Sequence, residues 1–232
     1  MTQSDLFIIT SVINTGNVSW SYSFVRSIFS MEERFQQTLH TIQSIRDRQD
    51  HSAIILVECS QLSQEMEETL KNSVDYYIQC YDNNDIRSAC IDNGLKGYGE
   101  AMKTLAAVQY IHDNQISFQR LFKISGRYYI NSSFSKDFYS LDQYSFKIYS
   151  YDNGITVDNG ITVLYSVPYC LLEDFEHVLK SIITIYQKNG ATGYETLLPV
   201  MCNPIKSVVT LGVSGYVGVP TDITGMPTFY EN

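Results

Sequence analysis

The sequence lacks any long apolar run near its start. Leu6 to Ile9, the longest there, is too short for a secretory core or a membrane span and has no basic flank before it, so a cytoplasmic location is expected. Positive charge is also scarce. With 16 Lys and Arg against 25 Asp and Glu, the net charge of −9 argues against a general affinity for nucleic-acid phosphates or anionic membranes, and any anionic substrate must meet a local basic patch. Cys59, Cys80, Cys90, Cys170 and Cys202 are odd in number and include no C-x-x-C pair, which indicates neither a disulfide framework nor a zinc knuckle. They read as reduced, mostly core thiols. No G-x-G-x-x-G follows the first predicted strand, and G-x-x-x-x-G-K-[ST], H-E-x-x-H and G-x-S-x-G are all absent. Dinucleotide oxidoreductases, P-loop enzymes, zincins and α/β-hydrolases lose weight accordingly.

What is present describes an ordinary globular chain: 232 residues, 44% apolar and 18% charged, with 18 Tyr and 11 Phe. That length can bury one full core, and no Pro- or Ser-rich linker divides it, so a single domain over 1–232 is expected. Phe7 to Ile13 and Ala53 to Val57 read as strands buried on both faces. Between them, after a polar loop from Asn14 to Ser30, Ser30-Met31-Glu32-Glu33 forms an S-x-x-E capping box. Phe35, Leu39, Ile42 and Ile45 then continue at helical spacing. A helix with Leu62, Met66 and Leu70 on one face, a strand from Asp75 to Cys80, a helix from Tyr98 to Ile111 and a strand from Leu121 to Ile124 complete a β/α alternation, the pattern of a parallel sheet covered by helices. The second half is more mixed. Strands are predicted at Phe146 to Tyr149, Thr162 to Val167 and Val208 to Val217, with helices over Leu171 to Tyr186 and near Glu195. The tandem hexapeptide "DNGITVDNGITV", Asp152 to Val163, reads as a hairpin or a small duplication within a loop, because Asn-Gly steps favour positive φ.

Ligands of open α/β sheets bind beyond the carboxyl ends of the strands. The candidates are therefore Thr10-Ser11, Glu58-Cys59-Ser60, the loop from Tyr81 to Tyr98, and Ser125-Gly126-Arg127. Arg26, Lys96, Lys123 and Arg127 are the cations near these ends. Glu100 and Lys103 open the helix after Gly97-Tyr98-Gly99; its free backbone N–H groups can hold an anion, and equally the two side chains fit a solvated face.

The stretches "FIITSVIN", "EERFQQTLHTIQSIR", "ILVECS", "KGYGEAMKTL", "FKISGRYY" and "GYETLLP" together resemble the GT-A fold of nucleotide-sugar glycosyltransferases, across Leu6 to about Gly218. "FKISGRYY" in particular is similar to small glycosyltransferase-like proteins of viruses and microbes. The resemblance implies an α/β domain with a mostly parallel nucleotide-binding half, 1–130, and a mixed acceptor half, 131–232. It implies transfer of a hexosyl or related group from a nucleotide-diphosphate sugar to a carbohydrate or glycan hydroxyl. It puts Glu58 beside the base or ribose, where the other reading is a residue that merely ends a strand.

In that fold the fourth strand delivers an Asp-x-Asp that holds Mn2+ or Mg2+ on the diphosphate. Here Ser125-Gly126-Arg127 stands instead, so whether a metal is used stays open, and Asp82, Asp85 and Asp152 have no diagnostic ligand spacing. Arg127 would supply part of the countercharge, its other reading being a salt bridge or a guanidinium stacked on Tyr128 or Tyr129. Glu195 matches the carboxylate base of an inverting transfer, a role worth ~10²–10⁴-fold in rate. Thr192-Gly193-Tyr194-Glu195 is also a T-x-x-E capping box, and Asp174 is the weaker alternative base. A nucleotidyltransferase of related fold would need a Gly-rich basic loop that Thr10 to Gly16 lacks; a catalytically degenerate glycan- or protein-binding module is the remaining rival.

Overall fold

The structure is a computed structural model that describes residues 4–152, 156–190, 193–218 and 228–232. β1 (Leu6–Ser11) leads through a long irregular loop to α1 (Met31–Arg48), and β2 (Ala53–Glu58), α2 (Gln64–Ser73) and β3 (Tyr76–Gln79) follow. α1 starts where the sequence places its cap: the Ser30 hydroxyl accepts from the Glu33 N–H at 3.2 Å, and the Glu33 carboxylate accepts from the Ser30 N–H at 2.8 Å. The segment read as a loop after β3 holds a short helix, α3 (Asn84–Arg87), and a π-helical turn, Ser88–Asp92. The Asn83 side chain begins that helix by accepting from the Asp85 and Ile86 N–H groups. Then come α4 (Lys96–Asp113), β4 (Arg120–Ser125) and β5 (Tyr128–Ile130).

The second half contains β6 (Tyr144–Asp152), β7 (Thr156–Pro168), α5 (Leu172–Asn189), α6 (Tyr194–Met201), β8 (Ile205–Ser207), β9 (Val213–Tyr216) and β10 (Phe229–Glu231). The main sheet has the order β3-β2-β1-β4-β7-β6-β8. Its first four strands are parallel, β7 and β6 run antiparallel, and β8 lies parallel to β6. The tandem repeat belongs to the β6/β7 hairpin, with Asp152 paired to Thr156 and the second copy inside β7; residues 153–155 lie outside the described residues.

Alternation along β1 splits the core. Leu6 and Ile8 face the α4 and α5 side, where Val108, Phe175 and Ile182 pack, and Phe7 and Ile9 face the α1 side with Phe35, Ile42 and Ile45. Each such buried side chain is worth about 1.5–3 kcal/mol.

β6 and β7 run longer than the strands predicted at Phe146 to Tyr149 and Thr162 to Val167, and one predicted strand is not a single element. Val208 to Val217 is broken at Gly212, whose φ of +73° suits glycine alone and whose added Cβ would press on the Phe134 backbone. The chain therefore leaves the main sheet after β8, and β9 joins β5 and β10 in a separate three-stranded sheet. β10 and that small sheet carry no strong periodicity in sequence.

Candidate functional site

β1 and β4 are neighbours in the sheet, with Thr10 opposite Ser125, so their carboxyl ends open on one rim. The Gly126 N–H donates to the Thr10 carbonyl at 3.0 Å, after which the chain turns through Arg127 into β5. A polar stripe on α1 holds this turn. Arg34 Nε donates to the Val12 carbonyl at 2.8 Å, and the Thr41 hydroxyl donates to the Tyr128 carbonyl at 2.7 Å. The Thr38 hydroxyl lies 3.2 Å from both the Gly126 carbonyl and the Ser11 hydroxyl. A Cβ on Gly126 would come within 3.2 Å of that Thr38 oxygen, a tight contact that reflects how closely α1 approaches the strand ends.

Beside this turn lies a cleft of about 250 Å³. Thr10, Ser11, Lys96, Ser125, Gly126, Arg127 and Glu195, all read from the sequence as site residues, line it together. Among its described lining residues, Arg26, Arg34, Lys96, Lys103 and Arg127 are basic, five against the two acids Glu100 and Glu195. In a chain of net charge −9 that local excess is a property of the site.

The cations fall into separate groups. Lys123 and Lys103 are spent on Glu100: one Glu100 oxygen takes the Lys123 ammonium and, at 2.7 Å, the Thr10 hydroxyl, and the other lies 3.4 Å from Lys103. Burial would raise the Glu100 carboxyl, yet the two ammonium groups hold it well below the usual carboxylate range. The expectation of a solvated face at Glu100 and Lys103 is thereby corrected, since both are enclosed under the cleft.

Arg26 is likewise occupied. It donates to the carbonyls of Val18, Asn93 and Cys90, and its guanidinium stacks 3.9 Å from the Trp20 ring, clasping the loop before α1.

Arg34 and Arg127 differ from these. Among the described residues neither has an ion-pair partner. Arg34 is only 6% exposed, and its pKa is pushed down to about 9, by burial first and by the Arg127 charge second. Arg127 packs its Nε against Gly218, where a Cβ would sit 2.9 Å away, and that Nε is buried without a hydrogen-bond partner. The guanidinium also lies 5.7 Å from the Tyr128 ring centre, a distant version of the stacking expected from sequence.

Lys96 is the first residue of α4, whose start has no side-chain cap. Glu195 is the second residue of α6 and half-buried; its N-cap is Gly193, while the Thr192 of the expected capping box lies outside the described residues. Glu195 stands on the wall between the cleft and a neighbouring pocket of about 270 Å³, together with Tyr22, Lys96, Gly97 and Tyr194.

Glu58 is not among the cleft-lining residues. Its Oε1 accepts from the N–H groups of Ile13, Cys59 and Ser60 and from the Ser60 hydroxyl, fastening the ends of β1 and β2 together. Asp82, Asp85 and Asp174 are exposed and away from the cleft, and the Asp152 side chain lies outside what is described. Among the described residues no group of three His, Cys, Asp or Glu could hold a metal ion, so the donors present at this strand end do not fit a divalent cation. No described helix is long and apolar enough to cross a membrane.

Arg34 escaped the sequence reading because it lies beside Phe35 on an amphipathic helix, where a charge reads as solvated. The one available signal was the spacing Arg34, Thr38, Thr41, which places a polar stripe next to the apolar one.

No protein-family model matches the sequence, and no curated protein matches it. Among solved structures, the glycosyltransferase GlyE of Streptococcus pneumoniae TIGR4 superposes with a TM-score of 0.51 at 11% identity, covering 90% of this chain and 46% of GlyE. Its apo form gives 0.50 at 11%, covering 89% and 45%. A glycosyltransferase involved in glycosylation of the major capsid of PBCV-1 gives 0.47 at 9%, covering 90% and 83%. The chain thus spans less than half the length of GlyE, with which it shares a GT-A-like glycosyltransferase fold.

Proposed function

We propose that the protein transfers a sugar from a nucleoside-diphosphate sugar to a hydroxyl of a carbohydrate or glycan. The observation that carries this reading is the cation-rich cleft at the carboxyl ends of β1 and β4, in an acidic chain with the fold of a glycosyltransferase. Arg127 and Lys96 would meet the diphosphate, with the uncapped amides at the start of α4 and the Thr10, Ser11 and Ser125 hydroxyls beside it. As the bond between the anomeric carbon and the diphosphate oxygen breaks, its electron pair leaves with the nucleoside diphosphate, and the cations offset that growing charge. The acceptor oxygen forms the new bond from the neighbouring pocket, and Glu195 on the shared wall takes its proton.

A screen of nucleotide sugars for donor hydrolysis tests the reading, with Glu195→Gln as the diagnostic variant. It should lower turnover by ~10²–10⁴-fold while leaving nucleotide binding intact. Hydrolysis of no donor by the wild-type protein, or full transfer activity in Glu195→Gln, would remove the respective assignment.

A further inference from the structure

Of the cations around the cleft, two stand out by what they lack. Lys103 and Lys123 share Glu100, and Arg26 is consumed by three backbone carbonyls. Arg34 and Arg127 are held close enough that one lowers the pKa of the other, yet no carboxylate among the described residues forms an ion pair with either. Glu58 attracts Arg34 from beyond ion-pair distance; its Oε1 is engaged by three amides and a hydroxyl, while its Oε2 is buried without a hydrogen-bond partner and offsets only part of the Arg34 charge. A buried cation without a partner is costly, and a second like charge beside it costs more.

The arrangement is nonetheless built. Arg34 is fixed through Nε by the Val12 carbonyl, and Thr38, one helical turn on, ties α1 to the Gly126 turn that carries Arg127. Gly218 leaves the space in which the Arg127 side chain lies, and both arginines line the cleft.

We infer that Arg34 and Arg127 form a two-guanidinium site for a diphosphate, binding it without a divalent cation. Each planar fork can take two oxygens of one phosphoryl group, so two forks from different elements suit two linked phosphoryl groups, whereas a single carboxylate would satisfy only one. That the natural ligand is the diphosphate of a nucleotide sugar or of its product rests on the glycosyl-transfer reading; the site itself does not.

The test is calorimetric titration of inorganic pyrophosphate into the full chain with a chelator present, comparing wild type, Arg34→Gln, Arg127→Gln and the double variant. Wild type should bind, each single variant should bind at least tenfold more weakly, and the double should show no measurable heat. Arg34→Gln at wild-type affinity, or wild-type binding that appears only on adding Mn2+ or Mg2+, overturns the pair. Should Arg34→Gln fail to fold by circular dichroism, Arg34→Lys decides instead. It keeps the charge and loses the fork, so weaker binding is expected and unchanged affinity overturns the site. Pyrophosphate binding through both arginines in a protein that hydrolyses no sugar nucleotide would uphold the pair and remove the glycosyl-transfer reading. Donor hydrolysis at the wild-type rate in Arg34→Gln would do the reverse.

Discussion

Two pairs of cations lie at the same sheet rim, and they differ in what neutralises them. Lys103 and Lys123 converge on one carboxylate, Glu100, which also accepts from Thr10 and so ties α4 to β1 and β4. Arg34 and Arg127 converge on no carboxylate that the described residues supply, and they repel each other. The first pair is complete as folded and serves to hold the floor of the cleft. The second has no ion-pair partner among the described residues, and in the reading proposed above an arriving diphosphate supplies it. Identical charge type thus carries opposite roles, and what separates the pairs is whether the described residues supply a fixed counter-ion.

That contrast can be broken most forcefully at Glu100. Glu100→Ala leaves two enclosed ammonium groups unpaired, and a loss of about 3–5 kcal/mol in stability is expected from urea denaturation. An unchanged midpoint would mean that the lysines are not held by this carboxylate. Arg127→Ala acts on the other pair and should do the opposite: turnover of a nucleotide sugar falls by ~10²–10³-fold or more, while the melting temperature stays nearly that of wild type. Full activity in that variant would end the assignment of Arg127.

Acid sharpens the comparison further. Because the folded-state carboxyl of Glu100 is depressed relative to the unfolded chain, its contribution is present at neutral pH and is lost as pH falls below the ordinary carboxylate range. Glu100→Gln should therefore show a shallower decline of stability with acidification than wild type in denaturation titrations at stepped pH. Parallel curves would contradict the pairing.

The smallest expected effect is on the unliganded protein. Arg34→Met removes one of two like charges but also strips the Val12 carbonyl of its donor, so the two effects offset and the melting temperature should fall only slightly, well short of the loss in Glu100→Ala; a loss as large as that one would show that Arg34 serves mainly to hold the fold.

The sheet, its helices and the rim were legible in the sequence because they rest on local signals. The capping box at Ser30, the apolar runs of β1 and β2, and the helical spacing of Phe35, Ile42 and Ile45 each act within a few residues. Thr10, Ser11, Lys96, Ser125, Gly126 and Arg127 could be placed on one rim because strand ends and helix starts of an α/β sheet must face one side, and Glu195 was placed there by the resemblance; all seven line the one cleft. What stayed hidden depends on long-range contacts. Glu100 reads as a solvated helix residue until Lys123, in a strand 23 positions on, is placed against it. Arg34 reads as surface until β5 is known to lie along α1. The break of the Val208 to Val217 segment is set by the Phe134 backbone pressing on Gly212, which no local pattern announces.

The most direct measurement is the melting temperature of wild type and Arg127→Ala with a panel of nucleotide-diphosphate sugars, in chelator. At least one donor should raise the wild-type value and none should raise that of the variant. An equal rise in both proteins would contradict the claim that uncompensated arginines at the rim receive the diphosphate.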